Sequence, residues 1–515
     1  MAASRIVLKE MVPPPSPERA FELLAGDERP FFLDTALRLP EFGRFSLLGS
    51  RPFRVLESKG TRLSLNGGGK TETHQGNPFH FLKKAIESCK LSAHPSLPFA
   101  GGAVGYLGYD LRHFVERLPA AAADDLRVPD MAMAFYDTAL VMDHQSRRAW
   151  IAAAELGMPG RPNAEHRAAE LFERLSSDTP GAEAAGRGSF NRENTKTGNA
   201  AAQLPSDNAL SRSRASAVQP ERPATEIVCN FTRADYLRAI QRAKDYIAAG
   251  DIFQVNLSRR FEARISISAP ELYLRLRRIN PAPMAAYLGG GDFAVVSASP
   301  ERFLRLRRGR VETRPIKGTR RRGHTPEEDA ALAQELLRSE KDAAELAMIV
   351  DLERNDLGRV CSYGTVRVTR PKALESFATV HHLVATVVGR LHAASDRIEL
   401  LKATFPGGSI TGAPKIRAMQ IIDELEPTRR SIYTGAIGYL GFDGGMDLNI
   451  AIRTFLVQGD RAWFQAGGGI VADSQLESEY EETAQKARAL IEAVAGGGAS
   501  RPGGNPFRNN SPISP

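Results

Sequence analysis

Between residues 18 and 155, short apolar runs alternate with turn-forming residues: FSLLG, FRVLES and TRLSL, then FAGGAVGYLGYD and MAMAFYDTALVMD. Runs of this length bounded by Gly, Pro, Asn or Asp predict β-strands, so the first part of the chain reads as β-rich. From 176 to 225 the pattern lapses into SSDTPGAEAAGRGSFNRENTKTGNAAAQLPSDNALSRSRASAVQPERPAT. This stretch is polar, rich in small residues and without apolar periodicity, which predicts a disordered insertion or linker. Periodicity resumes at FTRADYLRAIQRAKDYIAAGD, where Thr232 stands as a helix N-cap and apolar residues recur at helical spacing until Gly250. Strand-like and helical segments then alternate irregularly, so 227–495 is the expected catalytic region. The last stretch, 496–515, reads as a disordered tail.

Composition narrows the class. The chain has 515 residues, 42% hydrophobic and 25% charged, enough to enclose a buried site. No stretch approaches the roughly 18 to 20 apolar residues of a membrane span, and the amino terminus lacks an apolar signal core. These features predict a cytoplasmic protein without a membrane partner. Cys89, Cys229 and Cys361 are far apart and form no C-x-x-C pair, which predicts isolated reduced thiols. The net charge of +8 invites a basic nucleic-acid-binding protein. However, the arginines fall in short groups such as Arg305/Arg307/Arg308/Arg310 and Arg320/Arg321/Arg322, with no interleaved aromatics to stack bases. An anionic small substrate or an acidic partner accommodates the same charge, so no nucleic-acid partner is expected. The segment Asn66 to Thr71 ends like a phosphate-binding loop, but Ser64 stands where that motif needs its first glycine.

Six later segments crowd polar residues among glycines and prolines: DIFQVNLSRRF, SASPERF, RPIKGTRRRG, AELAMIVDLERNDLGRV, FPGGSITGAPK and AGGGIVADSQLESEYEETAQK. Glu479, Glu482 and Lys486 share one helical face by their spacing. With Glu345 they could hold a hard divalent cation, although a solvated face with a Glu–Lys pair explains the spacing as well. Arg453, in the apolar run LNIAIRTFLV, suits bidentate capture of a carboxylate or a structural ion pair. The glycines Gly467, Gly468 and Gly469 suit close approach of backbone to a ligand, or a plain turn.

Taken together, the six segments resemble the chorismate-utilising synthases, closely over 227–490 and loosely over 20–155. The resemblance implies an α+β fold of two large packed β-sheets flanked by helices, with the site between the sheets. It implies Mg²⁺ at Glu345 and Glu482 with Glu479 close by, the metal holding the ring carboxylate of chorismate. Arg453 would take the second carboxylate, with Tyr433 beside it and the Gly467–Gly469 strand and Lys486 lining the substrate. Lys317 matches a lysine that, in the branch aminating ring carbon 4, attacks carbon 2 and forms a covalent intermediate; the anthranilate-forming branch typically has alanine there. Glu301 matches a general acid. Gln254 stands where the water-activating branches carry a lysine base. His382, Thr319, Ser409 and Thr411 match further active-site positions. FFLDTA (Leu33, Asp34, Thr35) departs from the LLES of tryptophan-regulated relatives, which speaks against tryptophan feedback. The reading that follows is amination of chorismate at carbon 4 on the way to 4-aminobenzoate and folate. No cysteine sits in a glutaminase context, so ammonia is expected from a separate glutamine amidotransferase subunit. The anthranilate-forming large subunit is the alternative.

Overall fold

The computed structural model describes residues 5–39, 42–177, 226–377 and 380–496. The expected disordered stretches at 176–225 and 496–515 lie outside the described residues, except for Ser176, Ser177 and Gly496.

Two 12-stranded sheets dominate, and every ladder between named strands is antiparallel. The first runs in the order Arg5–Met11, Arg148–Glu155, Thr138–Asp143, Phe45–Gly49, Phe31–Asp34, Met284–Gly289, Ala294–Ser299, Thr454–Gln458, Arg461–Ile470, Gln254–Arg264 and Ile227–Cys229. The short pair Gly412–Ala413 adds to Gln254–Arg264. The second runs Ile316–Arg321, Val380–Arg390, Arg310–Arg314, Arg302–Arg307, Met446–Ile450, Ala436–Gly441, Gly102–Leu107, Met131–Tyr136, Arg54–Lys59, Arg62–Gly67 and Lys70–Gln75, with Arg367–Ser376 also pairing to Val380–Arg390. The β-rich reading of the first part holds, and so does the α+β architecture.

The chain passes between the sheets at sharp crossings. MAMAFYDTALVMD, read as one apolar run, is two strands in different sheets. It breaks at Asp137, whose buried carboxylate ion-pairs with Arg161 and Arg167. A second crossing separates Ala294–Ser299 from Arg302–Arg307 and contains Glu301. A third separates Met446–Ile450 from Thr454–Gln458 and contains Arg453. The second and third run side by side: Ile450 N donates to Glu301 O and Ala298 N to Arg453 O, both at 3.0 Å. Helix ends follow local chemistry. Thr232 Oγ1 accepts the Asp235 N–H at the start of Arg233–Ala248, and Gly250 follows it in a left-handed conformation. The Asn66–Thr71 segment is a hairpin whose two loop residues, Gly68 and Gly69, have φ of 58° and 75°.

Candidate active site

Lys317 lies on Ile316–Arg321 in the second sheet, beside a bulge at Gly318 where the register to Val380–Arg390 shifts. Gly318 takes φ 68°, a conformation glycine adopts without strain. The strand brings the Lys317 ammonium across to the first sheet. A methyl group built on Gly469 would stand 3.4 Å from Lys317 Nζ and 2.8 Å from Gln254 Nε2. Burial lowers the pKa of the Lys317 ammonium and Lys486 reinforces this, while Glu345, Glu301 and Glu482 oppose it. Glu301 is buried; its Oε1 accepts from Ser409 Oγ at 2.7 Å and from Ile316 N at 3.4 Å. Burial pushes its carboxyl up to about 7, against the pull of Ser409, Lys317 and Lys486. The pocket therefore holds an amine biased toward its free base beside a carboxyl biased toward its acid.

Gly467, Gly468 and Gly469 are not a turn but the inner part of Arg461–Ile470, paired with Ser258, Leu257 and Asn256. Gly468 faces the helix Leu476–Ala495: a methyl group there would lie 3.0 Å from Glu479 Oε2 and 3.7 Å from Glu482 Oε1. Glu479 Oε1 accepts from Ser474 Oγ at 2.6 Å, and its buried Oε2 has no partner among the described residues. Lys486 bonds Glu482 at 2.6 Å and donates to Gly467 O at 2.9 Å. Glu345 reaches toward the same region from the helix Glu340–Gly358, and desolvation raises its pKa, as it does that of Glu479. Lys486 holds Glu482 in the opposite direction. These carboxylates suit a hard divalent cation in donor type, and the orphaned Glu479 oxygen gives one an unused ligand. Among the described residues, no three acidic, His or Cys side chains already converge on one point.

Arg453 lies on no strand, between Met446–Ile450 and Thr454–Gln458, although the run LNIAIRTFLV is apolar throughout apart from Asn449, Arg453 and Thr454. It sits in the crossing with φ 53°, half-buried, and no side-chain ion pair holds it among the described residues. Desolvation lowers its pKa, opposed by Tyr433, so a guanidinium is held ready without a counter-ion. Tyr433 is buried, and burial pushes its phenol up to about 12, keeping it neutral. His382 is buried beside Phe377, ring centroids 5.0 Å apart; its Nδ1 lies 3.0 Å from Thr319 Oγ1 and 3.3 Å from Gly318 O. Burial lowers its pKa to about 4, so it is neutral at pH 7. Thr319 itself is exposed, reaching the site only through His382. Ser409 works on Glu301 from the turn Gly408–Ile410, whereas the Thr411 hydroxyl donates back to Gly407 O at 3.0 Å. Gln254 is fully buried, and among the described residues neither amide atom has a partner.

Sequence reasoning passed over Asn256 and Glu353. Asn256 shares a strand face with Gln254, and its buried Oδ1 also has no partner among the described residues; strand alternation from Gln254 was the available signal. Glu353 lies in AELAMIVDLERNDLGRV, one of the six segments, but only Glu345 was singled out there. A separate cavity of about 250 Å³, lined by Asp34, Arg305, Tyr439 and Asp447 among others, contains none of the candidate residues. Among the described residues no helix is long and apolar enough to cross a membrane.

Such a site, between two sheets with a half-buried, desolvated lysine, a carboxyl raised to about 7 and an acidic helix face, marks a class of small-molecule enzyme, and residues 50–492 match the family model described as chorismate binding enzyme. The chain belongs to that family. It is 41% identical over 483 residues to anthranilate synthase component 1 of Thermus thermophilus, covering 93% of this chain and 95% of the relative. It is 37% identical over 477 residues to aminodeoxychorismate synthase component 1 of Bacillus subtilis, covering 92% and 93%. The crystal structure of anthranilate synthase component I from Streptococcus pneumoniae superposes with TM-score 0.72 at 34% identity, covering 88% of this chain and 93% of that one. The menaquinone-specific isochorismate synthase of Escherichia coli, at 17% identity and TM-score 0.64, shares the fold.

Proposed function

We propose that this chorismate-utilising enzyme is the large subunit of an aminodeoxychorismate synthase, converting chorismate and ammonia to 4-amino-4-deoxychorismate and water. The observation that carries this reading is Lys317: a desolvated amine that reaches the Gly469 strand beside Gln254, with the Glu301 carboxyl nearby raised to about 7. The neutral Lys317 amine attacks ring carbon 2, the electron pairs shift around the ring to carbon 4, and the carbon 4 hydroxyl leaves as water with the Glu301 proton. Ammonia then adds at carbon 4, the electron pairs return, and Lys317 leaves carbon 2 as a free amine. The proton released by the new ammonium restores Glu301. Arg453 binds one substrate carboxylate, Tyr433 and neutral His382 wall the ring, and Lys486 steadies the Gly467 carbonyl and Glu482.

Glu345, Glu482 and Glu479 would hold Mg²⁺, which supplies a positive anchor for the other carboxylate. Relatives carrying the words component 1 support a partner subunit, here a glutamine amidotransferase that delivers ammonia. The alternative, an anthranilate-forming large subunit, is favoured by the identity to the Thermus relative. The two are separated by incubating the purified chain with chorismate, Mg²⁺ and ammonium and identifying the product by mass. Aminodeoxychorismate, lost on Lys317→Ala with the fold intact by circular dichroism, supports the proposal. Anthranilate with pyruvate would overturn it.

A further inference from the structure

Behind the turn that carries Ser409 lies a second buried carboxyl. Glu353, on Glu340–Gly358, is 3% exposed. Its Oε1 accepts the Gly408 N–H at 3.3 Å, and its Oε2 has no partner among the described residues. Helix and turn are packed in direct contact: a methyl group on Gly408 would stand 2.7 Å from Leu352 Cδ2 and 3.4 Å from Glu353 Oε1. On the other side of the same turn, Ser409 Oγ donates to Glu301 Oε1. One turn further along the helix, Asp356 takes the ammonium of Lys415, which also donates to Thr404 O at 3.0 Å and Pro406 O at 2.9 Å. The strand of chain leading into the turn is thus pinned from the helix as well.

We propose that Glu353 is a positioning residue for Glu301: it holds the Gly408–Ile410 turn so that Ser409 meets the Glu301 carboxyl, and its charge governs how firmly Glu301 keeps its proton. The inference rests on reading Glu301 as the general acid. Glu353 faces Asp356, Lys415 and Glu301, and Glu301 also faces Lys317 and Lys486. Burial is the main force pushing both carboxyls up to about 7. The Glu301 charge also raises Glu353, and because that repulsion is mutual an ionised Glu353 discourages loss of the Glu301 proton near neutral pH.

The test is Glu353→Gln, which keeps the Oε1 acceptor and removes the ionisable group. The protonated-carboxyl infrared stretch of Glu301, assigned by its loss in Glu301→Gln, is titrated in both proteins. The Glu301 midpoint should fall by roughly half a unit or more, with the bend in kcat/KM moving by the same amount and KM for chorismate unchanged. An unmoved midpoint overturns the inference whether or not the enzyme turns chorismate over, whereas an inactive wild-type chain would overturn the functional reading alone. Positioning is read separately with Glu353→Leu: its loss of kcat should not add to that of Ser409→Ala. Fully additive losses would mean that Glu353 does not act through the turn.

Discussion

Glu301 and Lys317 are shifted toward each other's ionisation range by the same cause, loss of water, acting on groups of opposite charge. Catalysis needs the acid protonated and the amine neutral, so kcat/KM should bend near pH 7 as Glu301 titrates. In Glu301→Gln that bend should vanish, leaving a residual rate, lower by about 10²-fold or more, that rises with pH as Lys317 loses its proton. Stability carries the same signature. A carboxyl whose folded pKa is raised from 4.5 to about 7 contributes stability below pH 4.5 that is lost as pH rises through 7. Glu301→Gln should therefore stabilise the protein at pH 8 and not at pH 4, by at most about 3 kcal/mol, read by denaturant unfolding at the two pH values. Equal effects at both would show that the wild-type carboxyl is not perturbed.

At the scale of elements, the site is built where the chain changes sheets, and there sequence reading stops short. Helix Arg233–Ala248 was legible from Thr232 and Gly250 because capping and periodicity are local. The shared face of Glu479, Glu482 and Lys486 was legible for the same reason. The crossings were not, because an apolar run has the same appearance whether it stays in one sheet or passes between two, as MAMAFYDTALVMD shows. Arg453 was recognised by family resemblance, but its left-handed backbone was not legible: LNIAIRTFLV has no glycine to announce such a residue. Its conformation costs roughly 1–2 kcal/mol for a residue with a Cβ. Arg453→Gly should thus leave the protein as stable or about 1 kcal/mol more stable, while KM for chorismate rises about 10-fold or more through loss of a charge-assisted contact. A destabilised variant with unchanged KM would make Arg453 a structural residue instead.

For the whole molecule, every candidate catalytic and binding residue lies between Gln254 and Lys486, yet that region does not close its own sheets. In the first sheet Phe31–Asp34 pairs with Met284–Gly289, from Phe31↔Leu288 to Asp34↔Ala285. In the second, Gly102–Leu107 pairs with Ala436–Gly441 along its full length. These two seams join the amino-terminal strands to the catalytic strands edge to edge, and the strands on either side are almost wholly buried. Cutting at the seams would expose two apolar edges, AAYLG and AIGYLG, each a template for wrong pairing. The fragment 226–496 expressed alone should therefore aggregate and show no chorismate turnover, despite holding all the chemistry. Refolded together with the fragment 1–177, it should recover a monodisperse complex and activity, followed by light scattering and product analysis. If 226–496 alone were monodisperse and active, the seams would be accessory, and the amino-terminal strands would need some role other than completing the fold.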